Sequence, residues 1–406
     1  MGPTIGYASS AAHIAIPGPY MSAQSAGKIE ELESIRGIAA VLVVLFHMPE
    51  WNTHLHGIRF INNGYYMVDL FFVLSGFVMN LNYGTRLQTG QDLARFQFLR
   101  LGRLYPVHLL FLLLAVATAA STWVAAAGFG LKIPSGGAFK GATIISFTEQ
   151  LLLIHSLGFF NIPYAFNLPS WSISVEFYTY LVFGTVCLVS HYVLRLSIFV
   201  TIAGVALLLL ACGGDHVGNF SAILQCLGGY FLGCLVASFA VRRDHSLPRG
   251  STLLALAAMA LFLSTKRSSQ FDIVIFFLSA LLIAAVICSG DDFAKRILRH
   301  KSLKFLGLVS YSIYMSHIFV LWTCNQFVRE VLRRPEAIVS GISTPQMSLW
   351  GALLWVCIAV TCTIALSAAV FRFIEDPCRV KSKEIVRQYM SRDRDLVRAV
   401  VVQSHK

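Results

Sequence analysis

Charged residues are scarce in this chain of 406 residues, because Asp, Glu, Lys and Arg make up 13% of it while 56% of the residues are apolar. An ordinary soluble domain carries about 25% charged residues. A soluble protein of this length has too much outer surface to cover with so few charges. The composition therefore excludes a cytosolic enzyme, a nucleic-acid-binding domain and a disordered chain, and the mean hydropathy of +0.68 agrees.

Paired cysteines and a targeting segment are also missing. The nine cysteines lie almost all in apolar runs, none forms a CxxC pair, and their number is odd. We interpret them as small core residues and expect neither disulfides nor a metal site. Residues 1–28 lack the continuous apolar run of a secretory signal. We expect them to form a flexible tail.

Long apolar runs dominate the rest of the sequence. Ten of them have about the 20 residues that a membrane-spanning helix needs, and they lie near 33–50, 64–83, 104–127, 171–190, 196–213, 219–240, 251–265, 270–289, 305–326 and 349–374. An eleventh run, 142–160, has Thr148, Glu149, Gln150 and His155 in its middle, so we expect a re-entrant or interfacial helix there. The predicted fold class is all-α, a polytopic membrane protein with about ten transmembrane helices.

The placement of basic residues tests this count, because cytoplasmic loops carry an excess of Lys and Arg. With ten spans and a cytoplasmic N-terminus, 24 of the 32 basic residues fall inside and 8 fall outside. An eleventh span would move the basic clusters at 242–249 and 295–304 to the outside. We therefore predict cytoplasmic termini, and we assign the net charge of +12 mainly to topology and to contacts with anionic lipids.

Four ionisable residues fall inside the predicted spans at similar depths in the outer half. They come from four different spans and are His47, Asp69, Glu176 and His317. Each is a candidate functional residue, since a charge inside a span costs about 3 kcal/mol. We expect Asp69 to pair with His47, because a carboxylate fixes the tautomer of an imidazole and raises its basicity. The alternatives are a backbone-bonded interfacial histidine at 47 and helix-packing polar groups at 176 and 317.

Arginines gather at the opposite, cytoplasmic ends of the spans. Arg36 lies eleven residues before His47, which is three helical turns plus about 20°, so both share one face about 16 Å apart. Arg100 and Arg103 share a face at a spacing of three residues. With Arg36 they would form a guanidinium cluster suited to bidentate phosphate binding. The alternative is that all three are anchors that follow the positive-inside rule.

Six motifs occur in an order that is typical of a known family. They are Arg36 to His47 with ten residues between, the run Asp69–Phe77, the segment Arg100–Pro106, Trp171–Glu176, Tyr311–His317 and Phe371–Pro377. In these motifs the chain resembles the membrane-bound acyltransferase 3 family over about residues 31–377. Members of that family move acetyl or other short acyl groups from cytosolic acyl-CoA to hydroxyls of sugars, exported polysaccharides, lipid-linked glycans or macrolides.

The resemblance implies roles for the site residues. His47 is the expected base, or the residue that accepts the acyl group in a covalent variant, and Asp69 and Glu176 support it. Arg36 and the Arg100/Arg103 pair engage acyl-CoA, which is a donor substrate and not a permanently bound cofactor. The candidate acceptor-binding residues are Trp171, Ser174, Tyr178, Tyr311 and His317.

The predicted protein is an integral-membrane O-acyltransferase of the bacterial inner membrane, with acyl-CoA, a carbohydrate or glycolipid acceptor and lipids as partners. Its parts are a tail at 1–28, the acyltransferase domain at 29–377 and a basic cytoplasmic tail at 378–406. The absence of an SGNH-type domain after the last span favours the stand-alone type. A proton-coupled transporter is the alternative function, since buried His, Asp and Glu also form proton relays. Against it, the halves show no matching Gly- or Pro-broken segments.

Overall fold

The chain is mostly helical, as its composition predicts. The computed structural model describes residues 29–129, 143–159, 165–213, 220–240, 247–266, 272–339 and 341–389. The predicted tail at 1–28 and the end of the predicted basic tail, 390–406, lie outside the described residues.

The described residues form sixteen α-helices and one short hairpin. The helices are α1 (Glu30–Phe46), α2 (Thr53–His56), α3 (Arg59–Asn62), α4 (Met67–Tyr83), α5 (Gly90–Phe129), α6 (Ile144–Leu151), α7 (Ser170–Val189), α8 (Tyr192–Gly213), α9 (Ser221–Ala240), α10 (Ser251–Thr265), α11 (Val274–Cys288), α12 (Phe293–Leu298), α13 (Lys301–Leu308), α14 (Ser310–Gln326), α15 (Leu349–Val370) and α16 (Asp376–Tyr389). A 3₁₀ turn (Gly64–Tyr66) precedes α4, and π-helical turns follow α14 (Phe327–Val331) and α15 (Phe371–Glu375).

Several of these helices are long and apolar enough to cross a membrane. Within the described residues, six segments meet this requirement: Gly64–Tyr83, Gly90–Ser121, Ser170–Val189, Tyr192–Cys212, Ser221–Phe239 and Leu349–Tyr389. A seventh is added if α13 and the helix from Ser310 to Val331, which meet at 71°, form one bent span. The protein is therefore a multi-pass helical membrane protein. The count of ten spans and the cytoplasmic placement of both termini stay predictions.

The α6 segment differs from the spans around it. It has eight residues, so it is about 12 Å long and cannot cross a hydrocarbon core of about 30 Å. This length agrees with the re-entrant or interfacial helix expected from the polar residues of 142–160.

The hairpin was not expected in an all-α chain. Strands β1 (Glu336–Val339) and β2 (Ile342–Pro345) pair antiparallel, with Val339 opposite Ile342. Their Ile, Val and Thr residues favour extended backbone, and Gly341 adopts a left-handed conformation with φ of +80°. The two short strands lie between the π-helical turn after α14 and the start of α15.

Close helix packing fixes the position of α1. Gly37 of α1 faces Gly307 of α13, and a Cβ atom on either glycine would overlap the backbone of the other helix. Three acidic residues in the first turn of α1 suit the positive end of its dipole. Pro49 follows shortly after the last helical residue, Phe46, and cannot continue the helix. These features fix α1 in the bundle, with Arg36 in its N-terminal half and His47 directly after its last residue.

The helix that begins at Asp376 crosses the predicted border at residue 377. It continues to Tyr389 and packs on α5, where Ser382 fills the space beside Gly102. The first part of the predicted basic tail is therefore helical and joined to the helix that carries Arg100 and Arg103.

Candidate active site

The end of α1 and the middle of α14 bring two imidazoles together. His317 Nε2 lies 3.2 Å from His47 Nδ1, and the ring centroids are 4.9 Å apart. His47 Nδ1 also lies 3.0 Å from the carbonyl oxygen of Val43, and His317 Nδ1 lies 2.7 Å from that of Tyr314. His317 is completely buried. The sequence suggested acceptor binding for His317, but the structure places it against the expected base.

Asp69 does not occupy the expected position beside His47. No hydrogen bond or ion pair among the described residues joins the two, and Asp69 Oδ1 is buried without a hydrogen-bond partner there. Asp69 lies on the side of α4 that carries Phe72 and packs on α9, and its carboxylate interacts electrostatically with Cys226 of α9. The depth predicted for Asp69 left its direction around the helix axis open, and the helix directs it away from His47.

Glu176 likewise lies away from the imidazole pair. Its Oε1 accepts a hydrogen bond of 2.6 Å from Tyr180 Oη, and that hydroxyl is 3.0 Å from Ser75 Oγ of α4. Glu176 interacts electrostatically with Arg36. It therefore lies with Arg36, in what we call the arginine end of the site, formed by Arg36, Arg100 and Arg103. The expected support of His47 by Glu176 is not a direct contact.

The three predicted arginines gather at the far end of α1. Arg36 and Arg103 interact electrostatically, while Arg100 donates a hydrogen bond of 3.1 Å to Tyr83 Oη and lies 5.3 Å from the centre of that ring. Arg100 Nε and Arg103 Nε are buried without a hydrogen-bond partner among the described residues. Buried guanidinium donors without partners form a site that an anion can complete.

Tyr311 also belongs to this arginine end and not to the imidazole end. Its hydroxyl donates a hydrogen bond of 2.6 Å to the Leu104 carbonyl, and it interacts electrostatically with Glu375 and Arg103. Glu375 was missed as a site residue, although it lies in the Phe371–Pro377 motif. It is 2% exposed, accepts a hydrogen bond of 2.7 Å from Ser312 and faces Arg103. An acidic residue at the end of a long apolar run was the signal that could have found it.

Two of the predicted acceptor-binding residues, Ser174 and Tyr178, donate hydrogen bonds to backbone carbonyl groups. The α6 segment ends inside the bundle, where its last carbonyl groups need donors that lipid cannot supply. Side chains of α5 and α7 supply them, with His108 Nε2 on Gln150 O (3.0 Å), Tyr105 Oη on Leu151 O (3.0 Å), Tyr178 Oη on Leu152 O (3.1 Å) and Ser174 Oγ on Leu153 O (2.5 Å). This structural role was not foreseen from the sequence.

Trp171 is nearer to the imidazole end. Its ring packs edge-on against Phe72 of α4, with centroids 6.0 Å apart. The next residue, Ser172, donates a hydrogen bond of 2.9 Å to Tyr314 Oη, one turn before His317. Trp171 is partly exposed, so it is the predicted acceptor-binding residue that remains available there.

Fold and site together define a multi-pass membrane protein in which α1 links two groups of side chains about 16 Å apart. His47 at its end meets His317 of α14, and Arg36 lies with Arg103 of α5. The sequence profile described as an acyltransferase domain matches residues 29–372. The chain therefore belongs to the membrane-bound acyltransferase 3 family, which confirms the resemblance seen in its motifs.

Known relatives agree with this assignment. The chain is 24% identical over 400 residues to the putative peptidoglycan O-acetyltransferase YrhL of Bacillus subtilis (strain 168), covering 89% of this chain and 56% of the relative. It is 24% identical over 386 residues to the peptidoglycan O-acetyltransferase OatA of Listeria monocytogenes, and this match covers 86% of this chain and 56% of the relative. A stretch of 92 residues is 40% identical to protein 2 in the picA locus of Rhizobium radiobacter, and this match covers 21% of this chain and 43% of the relative.

The chain spans little more than half the length of the two O-acetyltransferases it matches. No solved structure matches the chain significantly. Nothing in these comparisons favours the transporter that the sequence left as an alternative.

Proposed function

We propose that this chain is an integral-membrane O-acyltransferase that moves an acyl group, with acetyl as the first choice, from acyl-CoA to a hydroxyl of a carbohydrate or glycolipid. Membership of the acyltransferase 3 family and the names of the two O-acetyltransferase relatives support this proposal. The observation that supports it is the arrangement along α1, where an imidazole pair forms at His47 and Arg36 lies with Arg103 about three helical turns earlier.

The arginine end is the proposed donor site. The partly buried guanidinium groups of Arg36, Arg100 and Arg103 bind the phosphates of CoA through charge-assisted hydrogen bonds. The thin pantetheine arm extends along α1 and carries the thioester toward His47. We place this end on the cytoplasmic side of the bacterial inner membrane, because the basic residues of the sequence favour that orientation.

The imidazole end is the proposed reaction site. His47 takes the proton from an acceptor hydroxyl as its oxygen attacks the thioester carbonyl. The new C–O ester bond forms, the C–S bond breaks, and the CoA thiolate leaves with the proton that His47 held. Trp171 offers an aromatic face for a sugar ring.

The acceptor is proposed from the relatives. Both acetylate peptidoglycan according to their names, so a peptidoglycan-type glycan is the first acceptor to test. Membranes that contain the chain are given radiolabelled acetyl-CoA, and label in glycan or glycolipid is counted. We expect transfer by the native chain and none by His47→Ala at equal expression.

His191→Ala is the matched control, because His191 is exposed beside the start of α8 and makes no contact with the site. It should transfer label at the native rate. Equal transfer by native chain and His47→Ala would remove His47 from the mechanism. The absence of transfer by the native chain from any acyl-CoA would overturn the proposed function.

A further inference from the structure

We propose that His317 is a positioning residue for His47, which fixes the tautomer that leaves His47 Nε2 free and then stabilises the protonated ring. The catalytic consequence rests on the proposed acyl transfer, whereas the tautomers themselves do not. The partner of the base is thus a neutral imidazole on α14, in place of the carboxylate expected from Asp69.

The tautomer of His317 follows from its own partner. His317 Nδ1 lies 2.7 Å from the carbonyl oxygen of Tyr314, and a carbonyl can only accept. Nδ1 therefore carries the proton and donates it to that oxygen. His317 is completely buried and no salt bridge among the described residues includes it, so it is neutral, since an unpaired buried charge is costly. Its Nε2 is left with a lone pair.

The tautomer of His47 follows in turn. Its Nδ1 faces two acceptors, the Val43 carbonyl at 3.0 Å and His317 Nε2 at 3.2 Å. Both neighbours lack a proton to give, so Nδ1 of His47 carries the hydrogen and shares it between them. His47 Nε2 is then bare, and this is the atom that can take a proton from a hydroxyl.

His317 fixes the orientation of the His47 ring more fully than the Val43 carbonyl alone. The Val43 carbonyl belongs to the same helix as His47, whereas His317 lies on α14 and fixes the plane of the His47 ring from a second direction. When Nε2 takes the acceptor proton, the Nδ1–H bond to His317 becomes charge-assisted and therefore stronger. The interaction thus grows as the transition state forms, which is the condition for raising kcat.

The backbone around His317 is held firmly enough for this role. Its neighbours on α14 are bonded to other segments on both sides, from Ser172 Oγ to Tyr314 Oη (2.9 Å), from Asn167 Nδ2 to Met315 O (3.2 Å) and between the hydroxyls of Ser316 and Ser367 (3.0 Å). An imidazole on such a support orients its partner without moving itself.

The first experiment compares two replacements of His317 in the full chain. The Gln amide oxygen reaches the place of Nε2 and accepts a hydrogen bond, while Leu offers no acceptor. We expect kcat for acetyl transfer to fall roughly 100-fold in His317→Leu and by about tenfold or less in His317→Gln. KM for acetyl-CoA should change less than about twofold in both, since the arginine end is untouched.

The second experiment needs no acyl transfer. In native chain with ¹⁵N-labelled histidine rings, nitrogen spectra should show a bare Nε2 and a protonated Nδ1 for His47, with a coupling from that Nδ1 to His317 Nε2. His47→Ala assigns the signals. His191→Ala is the control, because His191 is exposed and lies outside the imidazole pair, and it should leave both tautomers unchanged.

The outcomes separate the two proposals. A protonated Nε2 on His47 in the native chain, or equal kcat in His317→Leu and His317→Gln, overturns the role of His317 even if acyl transfer occurs. The predicted tautomers in a native chain that transfers no acyl group would overturn the function and leave the pairing of the two histidines intact. If His317→Leu fails to fold, the spectra of the native chain still decide.

Discussion

At the scale of single residues, the arginine end of the site is a balance of opposite charges. Arg36 and Arg103 repel each other, while Glu176 attracts Arg36 and Glu375 attracts Arg103. Buried charges persist only where other charges and hydrogen bonds compensate them. The two carboxylates therefore offset part of the repulsion between the guanidinium groups, while Arg100 Nε and Arg103 Nε have no hydrogen-bond partner among the described residues.

Removal of one of these guanidinium groups tests the donor site. In Arg103→Gln we expect KM for acetyl-CoA to rise by roughly ten- to hundredfold, because a hydrogen bond to a charged group contributes about 1.5–3 kcal/mol. Little change in kcat is expected, since donor phosphates are bound equally in ground and transition states. Initial rates over a range of acetyl-CoA concentrations measure both constants.

Arg296→Gln is the control for this change. Arg296 is also basic and lies on α12, but its side chain is exposed, so its replacement should leave KM unchanged. An unaltered KM in Arg103→Gln would show that Arg103 is an anchor of the helix and not a donor-binding residue.

At the scale of elements, the short helix α6 shows how a helix can end inside a membrane protein. Four consecutive carbonyls at its C-terminal end, from residue 150 to residue 153, accept side-chain hydrogen bonds from α5 and α7. Donors of this kind are needed because the last carbonyls of a helix have no partner within the helix. Ser174 and Tyr178 therefore serve stability, although their positions in an aromatic and hydroxyl-rich motif are typical of a sugar site.

Replacement of these donors separates stability from binding. We expect Tyr178→Phe and Ser174→Ala each to lower the free energy of unfolding by about 1–3 kcal/mol, because a carbonyl loses its partner. Thermal unfolding in detergent measures the loss, and Tyr389→Phe is a matched control because Tyr389 is 72% exposed. A higher KM for the acceptor at unchanged stability would instead return these residues to the acceptor site.

At the scale of the whole molecule, the orientation in the membrane decides which end of α1 faces the cytosol and its acyl-CoA. The bent pair of α13 and α14 leads from basic residues predicted inside, around Lys301, to basic residues predicted outside, around Arg334. Both side chains are exposed, so thiols placed there report the side on which each end lies.

Thiol labelling of intact cells tests this orientation. A membrane-impermeant reagent should label Arg334→Cys in intact cells and Lys301→Cys only after the membrane is opened. The native chain measures the background from its nine cysteines. Labelling in the reverse pattern would place the arginine end outside, away from cytosolic acyl-CoA, and would contradict the proposed donor site.

The extent of agreement between sequence and structure differs between these scales. The apolar runs predicted helices because a membrane-spanning helix needs a minimum length of apolar residues, and helices occur in all ten runs, although α10 and α11 have only 15 residues each. The order of the six motifs predicted the family, which the match over residues 29–372 confirms. The hairpin after α14 was missed, because four-residue strands between helices leave little periodic signal.

The sequence alone determined how far along its helix each site residue lies. Only the tertiary structure decided which neighbouring helix each of these side chains faces. Arg36 and His47 could be placed on one face because both lie on one helix with a fixed pitch. The neighbour of His47 depended on how α4 and α14 rotate against α1. Gly76 lets α4 approach the backbone of α9 closely, and this packing directs Asp69 toward α9 and leaves His317 as the partner of His47.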